Sequence, residues 1–306
     1  MSKVIKEIKE KFLNYIDKNS VCLEIAPGSG DMVNALIDEI SFIYTIDPSL
    51  VSLELENSTK LQHIQGFFDY EFLKYKIDKK INFIIFRHLL EHINTPLNFL
   101  QSVVKLLEND GIIYVEVPNF NEVVESERFY EIFNDHCGYY QRNILVNTLN
   151  AINCELIDEI YLFKEQHMGL FFRKKSERIE YKKLNFKLFD ENLGKNFEKN
   201  IKALNSMLKD FENIAIYGSG AHGNTMLSFL DEPFRIKKCF DLDKRKQGLN
   251  LQNSKINIVE PSLENFKDLD CIVIAAPLYE EEILNSLREK GFKQSIILTE
   301  KKILKV

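Results

Sequence analysis

The sequence has no tryptophan, few cysteines and no concentrated block of basic residues. Its five cysteines contain no CxxC pair, which excludes a zinc ribbon and favours reduced thiols in a cytoplasmic protein. A net charge of −6 argues against nucleic acid as the main partner. No apolar run approaches membrane-spanning length, and the charged, helical residues 1–11 predict no signal peptide.

Strand and helix patterns alternate through the first half of the chain. Helical patterns cover 31–40 and 96–108. Short apolar runs occupy 21–25, 42–46, 81–86 and 112–117. This rhythm predicts a parallel sheet with crossover helices. Two later runs, 154–163 and 168–173, predict an antiparallel hairpin that closes the same sheet.

The pattern changes at residue 174, where a charged stretch begins. Apolar residues then recur at spacings of three and four, which predicts one face of a long helix: Phe189, Leu193, Phe197, Ile201, Leu204, Leu208 and Phe211. We interpret it as a connecting helix, with a partner-binding helix as the alternative.

A second alternation follows the connecting helix. Its predicted helices lie near 223–230 and 278–290, and its predicted strands at 213–218, 236–241, 256–259, 271–276 and 295–299. The fold class is therefore α/β, with a doubly wound sheet followed by a smaller Rossmann-like domain. The predicted domains are 1–173, a helical connector over 174–212, and 213–306.

The stretch 21–31 carries the clearest functional signal. A strand runs into a turn containing Gly28 and Gly30, and a helix follows. Asp47 ends the next strand about 20 residues later, where an acid can bind a ribose diol. The carboxylate of Glu24 beside the turn would disfavour a pyrophosphate. The ligand expected here therefore has a ribose, for Asp47, and a positively charged group, for Glu24. The alternative is a helix-capping turn without a ligand.

This first half resembles the class I S-adenosylmethionine-dependent methyltransferases. Leu23-Glu-Ile-Ala-Pro-Gly-Ser-Gly30 stands where that family has its glycine-rich first motif. The resemblance implies that Glu24, Gly28, Gly30 and Asp47 bind S-adenosylmethionine. Pro48 and Ser49 would border its adenine, and Gly66-Phe67-Phe68 stands in the region that flanks it.

The segment Phe86-Arg-His-Leu-Leu-Glu-His-Ile93 follows the fourth strand. Its His88-Leu-Leu-Glu91-His92 fits an inverted zinc-protease pattern. The strand-end position, Pro96 and the lack of an evident third ligand argue against a metal. We expect Arg87 and His88 to line the cofactor or substrate cleft, and Glu91 and His92 to shape the loop.

Three further segments narrow the resemblance to sugar C-methyltransferases that act on nucleotide-linked ketosugars. They are Arg87-His-Leu-Leu-Glu-His-Ile93, Tyr114-Val-Glu-Val-Pro-Asn119 and Phe133-Asn-Asp-His-Cys-Gly-Tyr-Tyr140. The last stands where the family has a Tyr-His-Glu-His segment. Phe133, Asn134 and Asp135 replace its first three residues, and His136 is retained. Gln166-His-Met-Gly169 stands where the family has a His-Gly-Gly segment, and His167 is expected to line the acceptor cleft.

The second half resembles the C-terminal domain of the same group. The segments that carry this likeness are Ile216-Tyr-Gly-Ser-Gly-Ala-His-Gly-Asn-Thr225, Phe240-Asp-Leu-Asp-Lys-Arg-Lys-Gln-Gly248 and Ile258-Val-Glu-Pro261. The family's N-terminal zinc domain and its cysteines are absent from this sequence. The replacements at 133 and 134 depart from the family's motif. They argue against ketosugar C-methylation but not against methyl transfer itself.

His136 is the candidate general base. Methyl transfer to oxygen or to an enolate carbon needs a proton removed, and a histidine near neutral pKa suits that task. Asp135 is the candidate orienting residue. The alternative is a structural histidine beside Tyr139 and Tyr140.

A literal GxGxxG, Gly218-Ser-Gly220-Ala-His-Gly223, precedes Asp241 by about 20 residues. Three interpretations stay open: an NAD site, contact with a substrate phosphate or nucleotide, and a purely structural turn. If it contacts substrate, the residues involved are Gly218, Gly220, His222, Gly223 and Asn224.

The sequence thus predicts a cytoplasmic S-adenosylmethionine-dependent methyltransferase that acts on a nucleotide-linked or phosphorylated sugar, with no bound metal. The acceptor atom, carbon or oxygen, and the oligomeric state are left open. One alternative is an NAD-dependent sugar-nucleotide oxidoreductase or epimerase. The other is a non-catalytic protein that binds nucleotide sugars.

Overall fold

The structure is a computed structural model that describes residues 2–55, 57–180, 182–186 and 191–306. Its described residues form two compact units. Unit 1 comprises Met1–Asn121 and His136–Lys187, and unit 2 comprises Glu122–Asp135 and Leu188–Val306. The predicted helix-face residue Phe189 lies outside the described residues.

Unit 1 is built on a seven-stranded sheet. Its strands are β1 (Val21–Ile25), β2 (Phe42–Asp47), β3 (Leu61–Gln65), β4 (Ile81–Arg87), β5 (Leu107–Pro118), β6 (Cys154–Leu162) and β7 (His167–Lys174). The spatial order is β3-β2-β1-β4-β5-β7-β6. The first five strands are parallel, and β7 is antiparallel to both β5 and β6. The predicted doubly wound sheet is confirmed, and β6 and β7 close it as the predicted hairpin.

Helices cover both faces of this sheet. They are α1 (Lys3–Phe12), α2 (Asp31–Leu36), α3 (Tyr70–Leu73), α4 (Pro96–Leu106) and α6 (Arg142–Ala151), while α5 (Phe120–Ser126) spans the unit boundary. Successive residues of a strand point to opposite faces. Cys22 accordingly joins the core under α1 and α2, whereas Leu23 joins the core that contains Phe99 and Leu145. Burial on both faces explains the continuous apolar runs of the central strands.

Strand β3 is absent from the apolar runs of the sequence. It reads Leu-Gln-His-Ile-Gln, and only Leu61 and Ile64 are buried. In the sheet it pairs with β2 alone, so one edge and much of its surface stay polar. An edge position therefore explains why hydrophobic patterning missed it.

Unit 2 contains a six-stranded sheet in the order β10-β9-β8-β11-β12-β13. Its strands are β8 (Ile214–Tyr217), β9 (Ile236–Phe240), β10 (Asn257–Val259), β11 (Cys271–Ile274), β12 (Ser295–Leu298) and β13 (Leu304–Lys305). Only β13 pairs antiparallel among these strands. The helices are α7 (Glu191–Leu208), α8 (Ala221–Ser228) and α9 (Glu280–Glu289). The predicted second Rossmann-like sheet is present.

Helix α7 and the segment 122–135 complete the core of unit 2. Phe129 and Tyr130 are buried with Leu204 of α7 and Ile214 of β8. The apolar face of α7 thus packs within unit 2. The predicted domain limits at 173 and 213 place 122–135 in the first half of the chain, whereas its aromatic side chains belong to the second core. Local sequence does not record which of two apolar cores a segment joins.

Helix α1 packs on the unit 1 sheet through Ile5, Ile8 and Phe12, and Phe12 is fully buried. Its ring centroid lies 5.1 Å from that of Phe83, 4.8 Å from that of Tyr114 and 5.7 Å from that of Phe171. We expect Phe12→Ala to lower the free energy of unfolding by about 3–5 kcal/mol, because it leaves a cavity among three rings. Urea unfolding measures the change.

Leu13→Ala is the matched control, since Leu13 is 45% exposed and follows Phe12 directly. Its expected effect is below about 1 kcal/mol. Equal losses in the two variants would contradict the packing described for α1.

Candidate active site

The turn between β1 and α2 is held in a left-handed backbone conformation. Ala26, Gly28 and Gly30 have φ values of 59°, 55° and 78°. The Ala26 N–H donates to the carbonyl of Ile46 at 2.9 Å, which ties the turn to β2. A Cβ at Gly30 would collide with Leu55, whereas a Cβ at Gly28 would meet nothing within 4 Å. Gly28 therefore presents bare backbone to the space above the sheet.

Asp47 lies at the end of β2, directly beside this turn. Its side chain accepts from the Gly28 N–H at 3.4 Å and from the Ser49 N–H at 2.6 Å. Its carbonyl accepts from the Gly66 N–H at 3.1 Å. The structure thus brings together the turn, the predicted ribose-binding acid and the start of the 66–68 segment.

The side chains of the predicted adenine region differ in exposure. Phe67 is 80% exposed. Phe68 packs edge-on against Phe99, with centroids 5.1 Å apart. The Pro48 carbonyl accepts from Gln65 Nε2 at 2.8 Å. Phe67 is therefore open to a ligand, while Phe68 mainly supports the core.

Glu24 is a buried carboxylate on β1, only 3% exposed. Among the described residues, its Oε2 atom has no hydrogen-bond partner. Burial raises the pKa of Glu24 to about 7, and the nearby Arg87 charge only partly opposes this rise. The site therefore holds a carboxylate whose hydrogen-bonding capacity is unmet, which suits a cationic ligand group.

Glu116 on β5 is fully buried and holds three side chains. It accepts from Arg87 Nε, from the Tyr114 hydroxyl and from His88 Nε2, each at 2.9 Å. Burial by itself would raise the pKa of Glu116. The hydrogen bond from His88 and the charge of Arg87 outweigh that effect and lower the pKa from its ordinary value of 4.5 to about 2. No role for Glu116 follows from the sequence pattern. The available signal was one acid within the apolar strand 112–117.

His88 follows β4 in a left-handed conformation with φ of 48°. Its backbone N–H donates to the Glu116 carbonyl at 3.0 Å, and Nδ1 lies 3.6 Å from Glu91 Oε1. Burial lowers the pKa of His88, but the hydrogen bonds to Glu116 and Glu91 raise it to about 9. The ring centroid of His167 lies 4.6 Å away. At neutral pH His88 is therefore a fixed imidazolium.

His136 lies beside Glu91 and His92. The His92 and His136 ring centroids are 4.9 Å apart, and the possible ligand atoms of all three residues lie within 4.8 Å of one another. The Cys137 and Gly138 N–H groups bind the Glu91 carbonyl at 2.6 and 3.0 Å. The structure thus places His136 beside Glu91 and His92, a neighbour that the sequence pattern did not make evident, whereas His88 lies in a separate group with Glu116 and His167. Loop packing across more than 40 residues produces the cluster.

The two residues predicted for proton transfer fall in different units. His136 belongs to unit 1, whereas Asp135 is exposed and belongs to unit 2. A second group, His88, Glu116 and His167, also has its possible ligand atoms within 4.8 Å of one another. Its carboxylate is already bound by Arg87 and Tyr114.

The predicted substrate-binding residues of unit 2 line two different cavities. Gly218, Gly220 and His222 line one of about 600 Å³. Asn224 lines another of about 800 Å³, together with Phe133, Asn134 and Asp135. His222 Nε2 lies 2.9 Å from Glu131 Oε2, so that carboxylate already holds its imidazole. Gly223 is buried against the carbonyl of Gly218.

The sheet order and the glycine turn with its two acids define a class I S-adenosylmethionine-dependent methyltransferase. A family described as "Methyltransferase domain" matches residues 1–159, and one described as "C-methyltransferase C-terminal domain" matches 170–297. The chain belongs to the methyltransferase-domain family. Membership of this family implies methyl transfer with S-adenosylmethionine as the cofactor.

Individual relatives are distant. C-methyltransferase NovU from Streptomyces niveus is 22% identical over 227 residues, covering 66% of this chain and 53% of that protein. This chain thus spans about half the length of that curated relative.

Solved structures also align with just over half of the chain. An S-adenosylmethionine-dependent methyltransferase from Clostridium acetobutylicum ATCC 824 has a TM-score of 0.44 at 12% identity, covering 56% of this chain and 91% of its own. N-methyltransferase NodS from Bradyrhizobium japonicum WM9 has a TM-score of 0.43 at 12% identity, and the alignment covers 57% of this chain and 99% of NodS. Across the described part of the chain, no helix is long and apolar enough to span a membrane.

Glu116→Gln removes the charge that holds Arg87 and His88. We expect a loss of about 3–5 kcal/mol in the free energy of unfolding at pH 7, because the buried guanidinium loses its anion. The folded-state pKa of Glu116, about 2, lies below its ordinary value of 4.5. The stabilisation is therefore present above pH 4.5 and is lost as pH falls towards 2. Urea unfolding of both proteins across this range measures it.

The matched control is Glu108→Gln on the same strand. Glu108 lies 3.3 Å from Lys80 in an exposed ion pair, which contributes about 1 kcal/mol or less. A Glu116→Gln variant no less stable than this control would show that the buried network does not stabilise the fold.

Proposed function

We propose that this methyltransferase acts on a nucleotide-linked or phosphorylated sugar. The observation that carries the proposal is the match of residues 170–297 to a C-methyltransferase C-terminal domain, directly after a methyltransferase domain. The distant relative NovU is itself named a C-methyltransferase. The segments 114–119 and 133–140 add the resemblance to sugar C-methyltransferases. We further propose a cytoplasmic location.

The residues at the β1 turn fit the cofactor. Glu24 has an unsatisfied buried oxygen that would accept from the cationic methionine portion, and Asp47 stands where a ribose diol would bind. Gly28 leaves its backbone open, and exposed Phe67 would flank the adenine. S-adenosylmethionine supplies an electrophilic methyl group when bound.

His136 is proposed as the general base that takes the proton released by the acceptor. Its neighbours Glu91 and His92 would orient the imidazole and stabilise its charged form. Asp135 stays a candidate orienting residue. Arg87 is held by Glu116 and would complete the charge environment of the cofactor, and His88 and His167 would contact the acceptor.

The protein's family disfavours both earlier alternatives. An NAD-dependent oxidoreductase would require a reaction other than the methyl transfer of this family. A non-catalytic sugar-nucleotide-binding protein would have lost that reaction.

The raised pKa of Glu24 leads to a pH-dependent affinity. Below pH 7 the carboxyl is protonated, and above it the anion is ready for a cationic ligand. We therefore expect affinity for S-adenosylmethionine to rise with pH up to about 7, with proton release on binding below that pH. Titration calorimetry in buffers of different ionisation enthalpy measures both effects.

Glu24→Gln should remove the pH dependence and the proton release. Asp47→Ala should abolish binding of S-adenosylhomocysteine, whereas Asp31→Ala on the exposed start of α2 serves as a nearby control. Unchanged affinity in Asp47→Ala would reject the assignment of the ribose-binding acid.

Methyl transfer is tested with labelled S-adenosylmethionine and a panel of nucleotide-linked and phosphorylated sugars. We expect a product with at least one of them and a rate about 10²–10⁴-fold lower in His136→Ala, because a positioned base is lost. Since no metal is proposed, EDTA should leave the rate unchanged. Added Zn²⁺ should inhibit by engaging His136 and its neighbours.

His63→Ala is the histidine control, because His63 lies on edge strand β3 and hydrogen-bonds Thr45. Transfer to other acceptors but to no sugar would overturn the proposed substrate class. Binding of sugar nucleotides without any turnover would favour the non-catalytic alternative. A rate unchanged in His136→Ala would remove the base assignment and leave methyl transfer in place.

A further inference from the structure

Two loops of unit 1 meet beside Glu91. The 3₁₀ turn Leu90–His92 follows β4, and the loop that contains His136 leads into α6. The N–H groups of Cys137 and Gly138 donate to the Glu91 carbonyl at 2.6 and 3.0 Å. Backbone hydrogen bonds therefore hold the two loops together without help from any ligand between their side chains.

The side chains of Glu91, His92 and His136 gather at this contact. The two imidazole rings lie edge-on at 87°, with centroids 4.9 Å apart, and the possible ligand atoms of all three residues lie within 4.8 Å of one another. In a tetrahedral site with bonds of about 2.1 Å, neighbouring ligand atoms lie about 3.4 Å apart. Shifts of about 1 Å in the side chains therefore suffice to bring all three onto one ion.

Glu91 supplies an independent sign of a ligand. Its carboxylate is buried, with 2% of the residue exposed, and among the described residues its Oε2 atom has no hydrogen-bond partner. The other oxygen, Oε1, lies 3.6 Å from His88 Nδ1. A buried carboxylate oxygen without a donor is unfavourable, and folded proteins contain few of them. A cation in the group would give this oxygen a partner.

The group formed by His88, Glu116 and His167 is a weaker candidate, although its possible ligand atoms are equally close. Both oxygens of Glu116 already accept hydrogen bonds. Oε2 accepts from Arg87 and from the Tyr114 hydroxyl, and Oε1 accepts from His88. An ion there would also lie near the guanidinium of Arg87, whose charge would repel it.

The donor set determines which ions fit the group at Glu91. Two imidazoles and one carboxylate suit Zn²⁺ and the related ions Co²⁺ and Ni²⁺, whereas Mg²⁺ and Ca²⁺ prefer oxygen ligands alone. Three protein ligands leave the fourth tetrahedral position to water. Cys137 is exposed and adjoins His136, but it is not part of the group, and its Sγ lies 3.7 Å from the His92 carbonyl oxygen.

We propose that Glu91, His92 and His136 form a binding site for a divalent transition-metal ion, with Zn²⁺ as the expected occupant. The site stands on its geometry, whatever the acceptor of the methyl group. A neutral imidazole has one nitrogen that can accept a proton, and a bound ion occupies it. The consequence rests on the proposed function: with His136 as the base, the ion is a reversible inhibitor of methyl transfer and not its cofactor, in keeping with a rate that EDTA leaves unchanged.

Titration calorimetry of the full, untagged chain tests the site with ZnCl₂, CoCl₂ and MgCl₂, after treatment with EDTA and its removal by dialysis. We expect Zn²⁺ and Co²⁺ to bind with one ion per chain, and Mg²⁺ not to bind, because the imidazoles select against it. Bound Co²⁺ should show the visible absorption bands of a four-coordinate ion, and added Zn²⁺ should abolish them by competition.

His92→Ala and Glu91→Gln each remove one ligand. Each should weaken Zn²⁺ binding by about 100-fold or more, since loss of a residue that only supports a ligand already costs about 10–100-fold. Glu91→Gln keeps the shape of the buried side chain, and binding of S-adenosylhomocysteine checks that both variants are folded. Cys137→Ser is the matched control, because it removes the exposed thiol beside His136, and it should bind Zn²⁺ as the unaltered protein does.

Modification of His136 by diethyl pyrocarbonate, followed by mass spectrometry of the peptides, reports whether its imidazole is occupied and needs no methyl acceptor. At a free concentration of about 10 times its Kd, Zn²⁺ should slow the modification of His136 about 10-fold. His63 on edge strand β3 is the internal control, and its modification should not change. With an acceptor from the sugar panel, the same Zn²⁺ concentration should lower the rate about 10-fold, and EDTA should restore it.

The outcomes separate this site from the proposed function. No Zn²⁺ binding at millimolar concentration, or equal modification of His136 with and without Zn²⁺, would overturn the site. Equal Zn²⁺ affinity in His92→Ala and the unaltered protein would also overturn it, since that result indicates an adventitious ion only. Zn²⁺ binding without any methylated sugar would reject the proposed acceptor and support the site. A rate unaffected by saturating Zn²⁺ would contradict the inhibition and the assignment of His136 as base.

Discussion

The buried carboxylate of Glu116 organises the edge of the unit 1 sheet where the candidate active site lies. A carboxylate without water is unfavourable unless donors surround it. Arg87, His88 and Tyr114 supply those donors, so the orientation of the β4 end follows from the need to stabilise one charge. The left-handed conformation of His88 is held in the same way, since both its backbone and its ring bind Glu116.

This arrangement also affects the pKa of Glu24. Arg87 donates its hydrogen bonds to Glu116 and acts on Glu24 only through its charge. Two buried carboxylates near one guanidinium therefore have opposite pKa shifts: that of Glu116 falls to about 2, and that of Glu24 rises to about 7. One anion is structural and permanent. The other is about half protonated at neutral pH, so a neighbouring cation would favour its charged form.

The two units share one backbone arrangement at the turn that follows their first parallel strand. A strand, a glycine turn, a helix and a second strand ending in an acid recur in each, with matching N–H donors. The chemistry differs in the residue on the first strand. Glu24, two residues before the turn donor Ala26, provides an anion in unit 1, whereas Ile216, two residues before the turn donor Gly218, is apolar and buried in unit 2.

The central strands and the glycine turn could be predicted from the sequence. The apolar runs located the central strands because burial on both faces leaves no polar position, and the spacing from Gly28 to Asp47 located the turn and its acid. Edge strand β3 was not predicted, because its exposed positions are polar and break the apolar run. The sites themselves, including the roles of His136 and Asp47, stay predictions until the variants are measured.

Local sequence determined the strand–turn–helix units, since glycine conformation and hydrophobic period act over a few residues. Tertiary structure decided which distant groups meet. The cluster of Glu91, His92 and His136, the donors around Glu116, and the burial of Phe129 and Tyr130 in the second core join positions far apart in the chain. Their energies come from desolvation and packing, which depend on neighbours that no local pattern specifies.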